Sequence, residues 1–292
     1  MVIARRADLH THTTASDGRH TPAEVVRRAK AAGLAAVAIT DHDTVAGVPE
    51  ALLEGARICI TVVPGVELST VADGCDIHVL AYYTDNNDPV WLERLASVGG
   101  TRESRNELLL AKLQGLGIPI TFDDVRSAAA SRGKEGSIGR PHFAEALIRL
   151  GVVSNMNEAF DRLLGSGGAA YVQVPKVHPL EALTWIREAG GASVIAHPGL
   201  YSRDALVEEL LGSGADGLEI FHSDHGEAEE RRYGELADRY GVLATGGSDF
   251  HGERGGIAFH GELGMCSVDM TVAERLKAVA AGHAANRGSR QT

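Results

Sequence analysis

Short, unbroken apolar runs alternate along most of this chain with stretches whose apolar positions recur every three or four residues. The run Ala35-Ala36-Val37-Ala38-Ile39-Thr40 has no polar alternation and predicts a strand buried on both faces. Before it, Thr21-Pro22-Ala23-Glu24 reads as a capping box with proline at the first helical position; Val25, Val26, Ala29 and Ala32 form the apolar stripe, and Gly33 the stop. Further strands are predicted over 58–67, 76–83, 192–197, 217–222 and 242–251. Helical periodicity covers about 179–189, 203–212 and 226–240, and a last helix is predicted from the box Thr271-Val272-Ala273-Glu274. Strands alternating with helices, with polar residues at the strand ends, predict a parallel α/β barrel or sheet whose site lies at the carboxyl ends of its strands.

The segment 99–174 breaks this rhythm. It has few strand-like runs but helical ones at roughly 101–114, 122–131, 141–150 and 156–164, separated by turns such as Gly115-Leu116-Gly117-Ile118-Pro119. The expected organisation is a barrel from 1–98 and 175–292 with a small helical domain, 99–174, inserted to set substrate specificity. Ordinary barrel helices are the alternative, and 289–292 reads as a frayed tail.

Composition narrows the function. At 292 residues and 44% hydrophobic the chain can bury a sizeable core. A formal charge of −11 argues against sequence-blind binding to long duplexes or anionic membranes. Phosphorylated substrates stay open, because bound divalent ions invert the field inside a site. The three cysteines, Cys59, Cys75 and Cys266, are odd in number and lack Cys-x-x-Cys spacing, which fits a reducing cytoplasm. Met1 to Arg6 carry no apolar leader, and no run approaches the ~20 residues of a membrane span.

The polar residues at the strand ends carry the chemistry. In Asp8-Leu9-His10-Thr11-His12 a strand would turn both histidines to one face, and Asp17 follows five residues later. Adding His42, Glu67, His78, His197, Asp249 and His251 gives nine metal-capable side chains at predicted strand ends, with His222 a further candidate. Each alone reads as a hydrogen-bonded core residue. Nine together are hard to satisfy independently. Imidazoles outnumbering carboxylates suit Mn, Zn or Fe rather than Mg or Ca, and one mononuclear site uses only three or four ligands, so two or three divalent ions are expected.

The segments His10-x-His12 with Asp17, Asp41-His42, Gly65-Val66-Glu67, Ile77-His78, Ala196-His197-Pro198 and Gly247-Ser248-Asp249-x-His251 resemble the motifs of the polymerase and histidinol phosphatase (PHP) family over about 1–98 and 175–270. The resemblance implies a distorted (β/α)7 barrel and a trinuclear centre that hydrolyses phosphate esters. It implies that His10, His12, Glu67 and Asp249 surround one ion. Glu67 would bridge to a second ion held by His78 and His197, while Asp17, His42 and His251 hold the third. The helical insert and Gly139-Arg140-Pro141-His142 resemble the branch of 3′,5′-nucleotide bisphosphate phosphatases, whose related members trim 5′ nucleotides from short RNA. The implied substrate is a bisphosphorylated nucleoside or short oligonucleotide, cleaved to a nucleoside monophosphate and phosphate. Histidinol-phosphate phosphatase is the enzymatic alternative, and a non-catalytic, metal-bound nucleic-acid-binding module the alternative from another class.

Because such ions supply a nucleophile, no covalent phosphoenzyme is expected. Asp249 is expected to be essential to turnover. His222 either hydrogen-bonds the phosphate, or protonates the leaving oxygen, or supports the ligands from behind. Glu219, three residues earlier, is expected to face the other side of the strand and to be structural. Arg102 and Arg105, one helical turn apart, and Arg140 at a helix N-terminus are candidate donors to a second phosphate, with His142 beside them; solvated helix arginines are the alternative.

Overall fold

Six of the apolar runs, with the short stretch before His10, become strands of one sheet, in the order β1 (Arg6–Asp8), β2 (Ala36–Ile39), β3 (Thr61–Ala72), β4 (Cys75–Tyr82), β5 (Ala192–Ile195), β6 (Gly217–His222) and β7 (Leu243–Gly247). The structure is a computed structural model and describes residues 5–130, 138–172, 177–254, 257–258 and 260–288. A two-residue pair, β8 (Glu253–Arg254) with β9 (Ile257–Ala258), stands apart, and β10 (Val268–Asp269) joins β1 antiparallel. Leu9 N donates to Gly246 O at 3.2 Å and Thr11 bridges Phe250 in parallel, so β7 returns to β1 and the sheet nearly closes into the expected distorted barrel. Helices α1 (Pro22–Ala31), α2 (Val48–Ile58), α7 (Pro179–Glu188), α8 (Asp204–Gly212), α9 (Glu227–Tyr240) and α10 (Met270–Gly288) belong to the barrel; α1 starts on Thr21, whose hydroxyl accepts from Glu24 N at 3.3 Å.

Three expectations are corrected here. Ile58 ends α2 instead of opening a strand, and β3 begins at Thr61 and runs past Glu67 to Ala72. Between β1 and β7 the parallel order is broken by β4, which runs antiparallel to both β3 and β5. The cause is the Asp73-Gly74 turn, whose residues both have positive φ (49° and 77°), the two-residue geometry that suits a right-twisted hairpin. His78 therefore reaches the site from the early part of a reversed strand, opposite Ser69, not from a carboxyl end. Finally, α10 is capped by Asp269, whose carboxylate accepts from Thr271 N at 2.9 Å, so Thr271 is not the cap.

Leu9, Ile39, Leu80 and Tyr82 are fully buried in the barrel, each burial contributing about 1.5–3 kcal/mol of transfer free energy for side chains of this size. Tyr82 keeps its hydroxyl satisfied by donating to Leu9 O at 2.7 Å, next to His10. Helices α3 (Pro89–Gly115), α4 (Phe122–Ala130), α5 (Arg140–Arg149) and α6 (Met156–Ala159), with a π turn at Phe160–Leu164, occupy the segment between β4 and β5. They pack a core of their own, including Leu109, Leu113, Ile120, Phe143, Leu147 and Leu164. The predicted boundary near residue 99 falls inside α3: Trp91 and Leu95 pack into the barrel core, Leu109 and Leu113 into the helical one.

Candidate metal centre

The expected ligands converge on Glu67. Its Oε1 lies 2.8 Å from His78 Nδ1 and 3.0 Å from His197 Nε2; its Oε2 lies 3.0 Å from His42 Nδ1, 3.2 Å from His12 Nε2 and 3.4 Å from His10 Nε2. Asp249 Oδ1 stands 3.0 Å from His12 Nε2 and 3.4 Å from His10 Nε2. A neighbouring group joins His12, Asp17, His42 and His251, with His251 Nε2 3.2 Å from Asp17 Oδ1. All nine residues are thus brought together, on loops and strands that run to one end of the barrel.

The backbone is built tightly around them. A Cβ on Gly247 would lie 2.3 Å from His10 Cβ, and one on Gly18 2.5 Å from His12 O, so the motif glycines are there for close approach. His197 and Asp249 hold left-handed backbone, φ 26° and 51°, a strain that surrounding contacts must fix. Buried acids fix the loops from behind. Asp41 accepts from Thr13 N, Thr13 Oγ1 and Ser16 Oγ, each at 2.7 Å, and shapes the turn that carries Asp17. Asp8 accepts from Ser248 Oγ at 2.6 Å and from Gly264 N at 2.8 Å, tying down the loop that carries Asp249. Burial pushes the Asp8 carboxyl up to about 6 against these hydrogen bonds.

Sequence reasoning misplaced Glu219. A register shift between Glu219 and Phe221 resets the alternation of β6, so Glu219 faces the cluster as His222 does. It lies 3.1 Å from His10 Nδ1 and accepts from His197 N at 2.8 Å. His10 thereby donates from Nδ1 and presents the Nε2 lone pair to the cluster. His251 is oriented the same way, its Nδ1 donating to Asp249 O at 2.8 Å. His222 is the reverse: Nδ1 accepts from Asp224 N at 3.1 Å, so the neutral ring carries its proton on Nε2, 3.5 Å from Asp249 Oδ2. His260 and Asp224, which drew no attention in the sequence, also line the site, 2.6 Å apart. No sequence signal marks them: they meet across 36 residues.

The donor set fits cations. Buried His10 Nε2, His12 Nε2, Glu67 Oε2 and Asp249 Oδ1 have no hydrogen-bond partner, which a protein interior rarely tolerates. Burial opposes charge on Glu67, yet the imidazoles of His42, His78 and His10 hold its carboxyl well below the usual carboxylate range. Burial likewise opposes charge on His10, but Glu219, Asp249 and Glu67 keep it well above the ordinary imidazole value. His197, where burial dominates, is lowered to about 4. The acids stay ionised only by drawing positive charge to themselves, and divalent ions supply that charge more compactly than protonated imidazoles.

Beside the cluster lies a cavity of about 690 Å³. Arg105, buried within α3, and Arg140, at the start of α5, both line it. Arg140 is held by an ion pair to Asp76 and by the Tyr171 ring 5.0 Å away. His142 is not brought to the cavity wall; it is buried and its Nδ1 accepts from Gly139 N at 2.9 Å, capping α5. The Arg102 side chain lies outside the described residues. Met156, Asn157, Phe160, Asp161 and Leu200 also line the cavity.

This architecture has known counterparts. Residues 8–197 match the model of the PHP domain. The chain is 35% identical over 256 residues to a 5′-3′ exoribonuclease of Haemophilus influenzae, covering 85% of this chain and 91% of that protein. It is 36% identical over 249 residues to a 3′,5′-nucleoside bisphosphate phosphatase of Chromobacterium violaceum, covering 84% and 86%. A metal-dependent phosphoesterase structure from Bifidobacterium adolescentis superposes with a TM-score of 0.85 at 31% identity, over 95% of this chain and 97% of that one. The chain belongs to the PHP domain family and is one of its metal-dependent phosphoesterases.

Proposed function

We propose that this phosphoesterase removes one phosphate from a 3′,5′-bisphosphorylated nucleoside, such as adenosine 3′,5′-bisphosphate (pAp), releasing a nucleoside monophosphate and phosphate. The observation that carries the reading is Arg140, paired with Asp76, and Arg105 lining the same cavity as the His/Asp/Glu cluster. A guanidinium fork is suited to a second phosphate that is bound but not cleaved. His10, His12, Glu67 and Asp249 would hold one ion, Glu67 with His78 and His197 a second, and Asp17, His42 and His251 a third. Manganese is the favoured metal, with zinc and iron as alternatives. Such ions provide Lewis acidity toward phosphoryl oxygens and bring the ionisation of water to near neutral pH.

The protein's own groups do the rest. His222 Nε2–H, fixed by the Asp224 backbone and buried 3.5 Å from Asp249 Oδ2, would orient Asp249 from behind the cluster. Glu219 holds His10 and the His197 backbone so that neither drifts as charge moves across the cluster. Three free cysteines suit a reducing cytoplasm, and among the described residues no helix is long and apolar enough to cross a membrane.

A second reading, trimming of 5′ nucleotides from short RNA, draws on the exoribonuclease relative. The test is a panel assayed with manganese-loaded enzyme: pAp, histidinol phosphate, a 5′-phosphorylated short RNA and simple phosphomonoesters. Preference for pAp is expected. Preference for histidinol phosphate overturns the reading, and no hydrolysis of any ester favours a non-catalytic binding module.

A further inference from the structure

The proposed substrate has a part that neither the cluster nor the arginines address, its base. Asn157, Phe160 and Asp161 stand at positions i, i+3 and i+4, one face of a helical turn, and all three line the cavity. Glu158 and Arg162, on the adjoining face, are paired with each other. From Phe160 the helix widens into a π turn, with Gly165 N donating to Phe160 O at 2.8 Å, and single π turns recur at functional sites. Phe160 packs from behind against the core of the helical segment. Leu200, half exposed, lines the same cavity from the turn after His197.

Asp161 is the informative residue. Asp161 is exposed on this wall. A carboxylate only accepts hydrogen bonds and repels phosphate, so the part of a ligand it suits is one that carries donors. In a nucleoside bisphosphate the donors are the ribose 2′-hydroxyl and the N–H groups of the base, and Phe160 beside Asp161 favours the base. We infer that this face is a nucleobase seat: Phe160 stacks on the ring, and Asp161 accepts from an N–H on its edge. The inference rests on the bisphosphate reading above.

The test measures kcat/KM of manganese-loaded wild type, Phe160→Leu and Asp161→Ala on three compounds. These are pAp, the purine-riboside 3′,5′-bisphosphate that lacks the 6-amino group, and ribose 3,5-bisphosphate, which lacks the base. Phe160→Leu is expected to lower kcat/KM for pAp about tenfold, within the range of base–aromatic stacking, and to leave ribose 3,5-bisphosphate unchanged. That unchanged value also reports intact folding. Wild type is expected to favour pAp over the purine-riboside compound by about tenfold, and Asp161→Ala to erase that preference. Equal losses on all three compounds, no loss with Phe160→Leu, or a preference that survives Asp161→Ala overturn the base seat alone. A wild type inactive on every bisphosphate but active on another phosphoester overturns the bisphosphate reading, and the base seat with it.

Discussion

The barrel side and the helical side of the cavity are built on different principles. On the barrel side each metal-facing group is fixed several times over: Glu67 sits among five imidazoles, His10 is held by Glu219, and the Asp249 loop is tied to buried Asp8. On the helical side, among the described residues, the Asp76 carboxylate and the Tyr171 ring hold Arg140, and Asn157 and Asp161 are exposed. Under the proposed function, the difference separates the side that does the chemistry from the side that selects the ligand. Electrostatic preorganisation demands groups that cannot move, whereas recognition of a variable ligand tolerates a wall that can be altered cheaply.

Four measurements can break or sharpen that contrast. The largest effect is expected from Glu67→Ala, which removes the carboxylate shared by five histidines. Turnover should fall at least about a thousandfold, as loss of several kcal/mol of Lewis-acid stabilisation implies, with metal content reduced in parallel. Retained metal and turnover would mean that the cluster is not the reaction centre.

Next is Asp8. Its carboxyl is raised from 3.8 to about 6 in the folded chain, so the folded state binds the extra proton between those values. Its contribution to stability is present at low pH and lost as pH rises to 6, by about 3 kcal/mol. Urea unfolding of the chelated protein, wild type against Asp8→Asn, should show this slope only in the wild type. Identical slopes would remove Asp8 as the buried strut under the Asp249 loop.

Glu219→Gln keeps the shape but removes the charge that orients His10. Metal affinity or kcat should drop about 10- to 100-fold, by titration with manganese and by steady-state assay. An unchanged value would show that His10 is oriented without it. The smallest effect belongs to the helical side: Arg140→Ala should raise KM for pAp by about tenfold with kcat nearly unchanged. A fall in kcat with KM unchanged would place Arg140 with the barrel groups and erase the distinction.

Much of this was legible in the chain itself. Whereas Glu67 lies within β3, the spacing of His10, His12, Asp17, His42, His197, Asp249 and His251 at or just beyond strand ends follows from short buried strands, whose pattern acts over a few residues. So do the helix stops at Gly33 and Gly241, both in left-handed backbone. The reversed strand was signalled by Asp73-Gly74, a hairpin dipeptide that the expectation of unbroken parallel order passed over.

Tertiary structure alone decided the rest. The bulge in β6 that turns Glu219 inward depends on its pairing with β7, and no local periodicity carries that information. The same holds for Asp224 against His260 and Arg140 against Asp76, partners 36 and 64 residues apart in sequence. Local pattern sets which face a residue takes within its own element. The neighbours that orient it, hold its proton or deny it water come from whichever elements the packed barrel brings alongside.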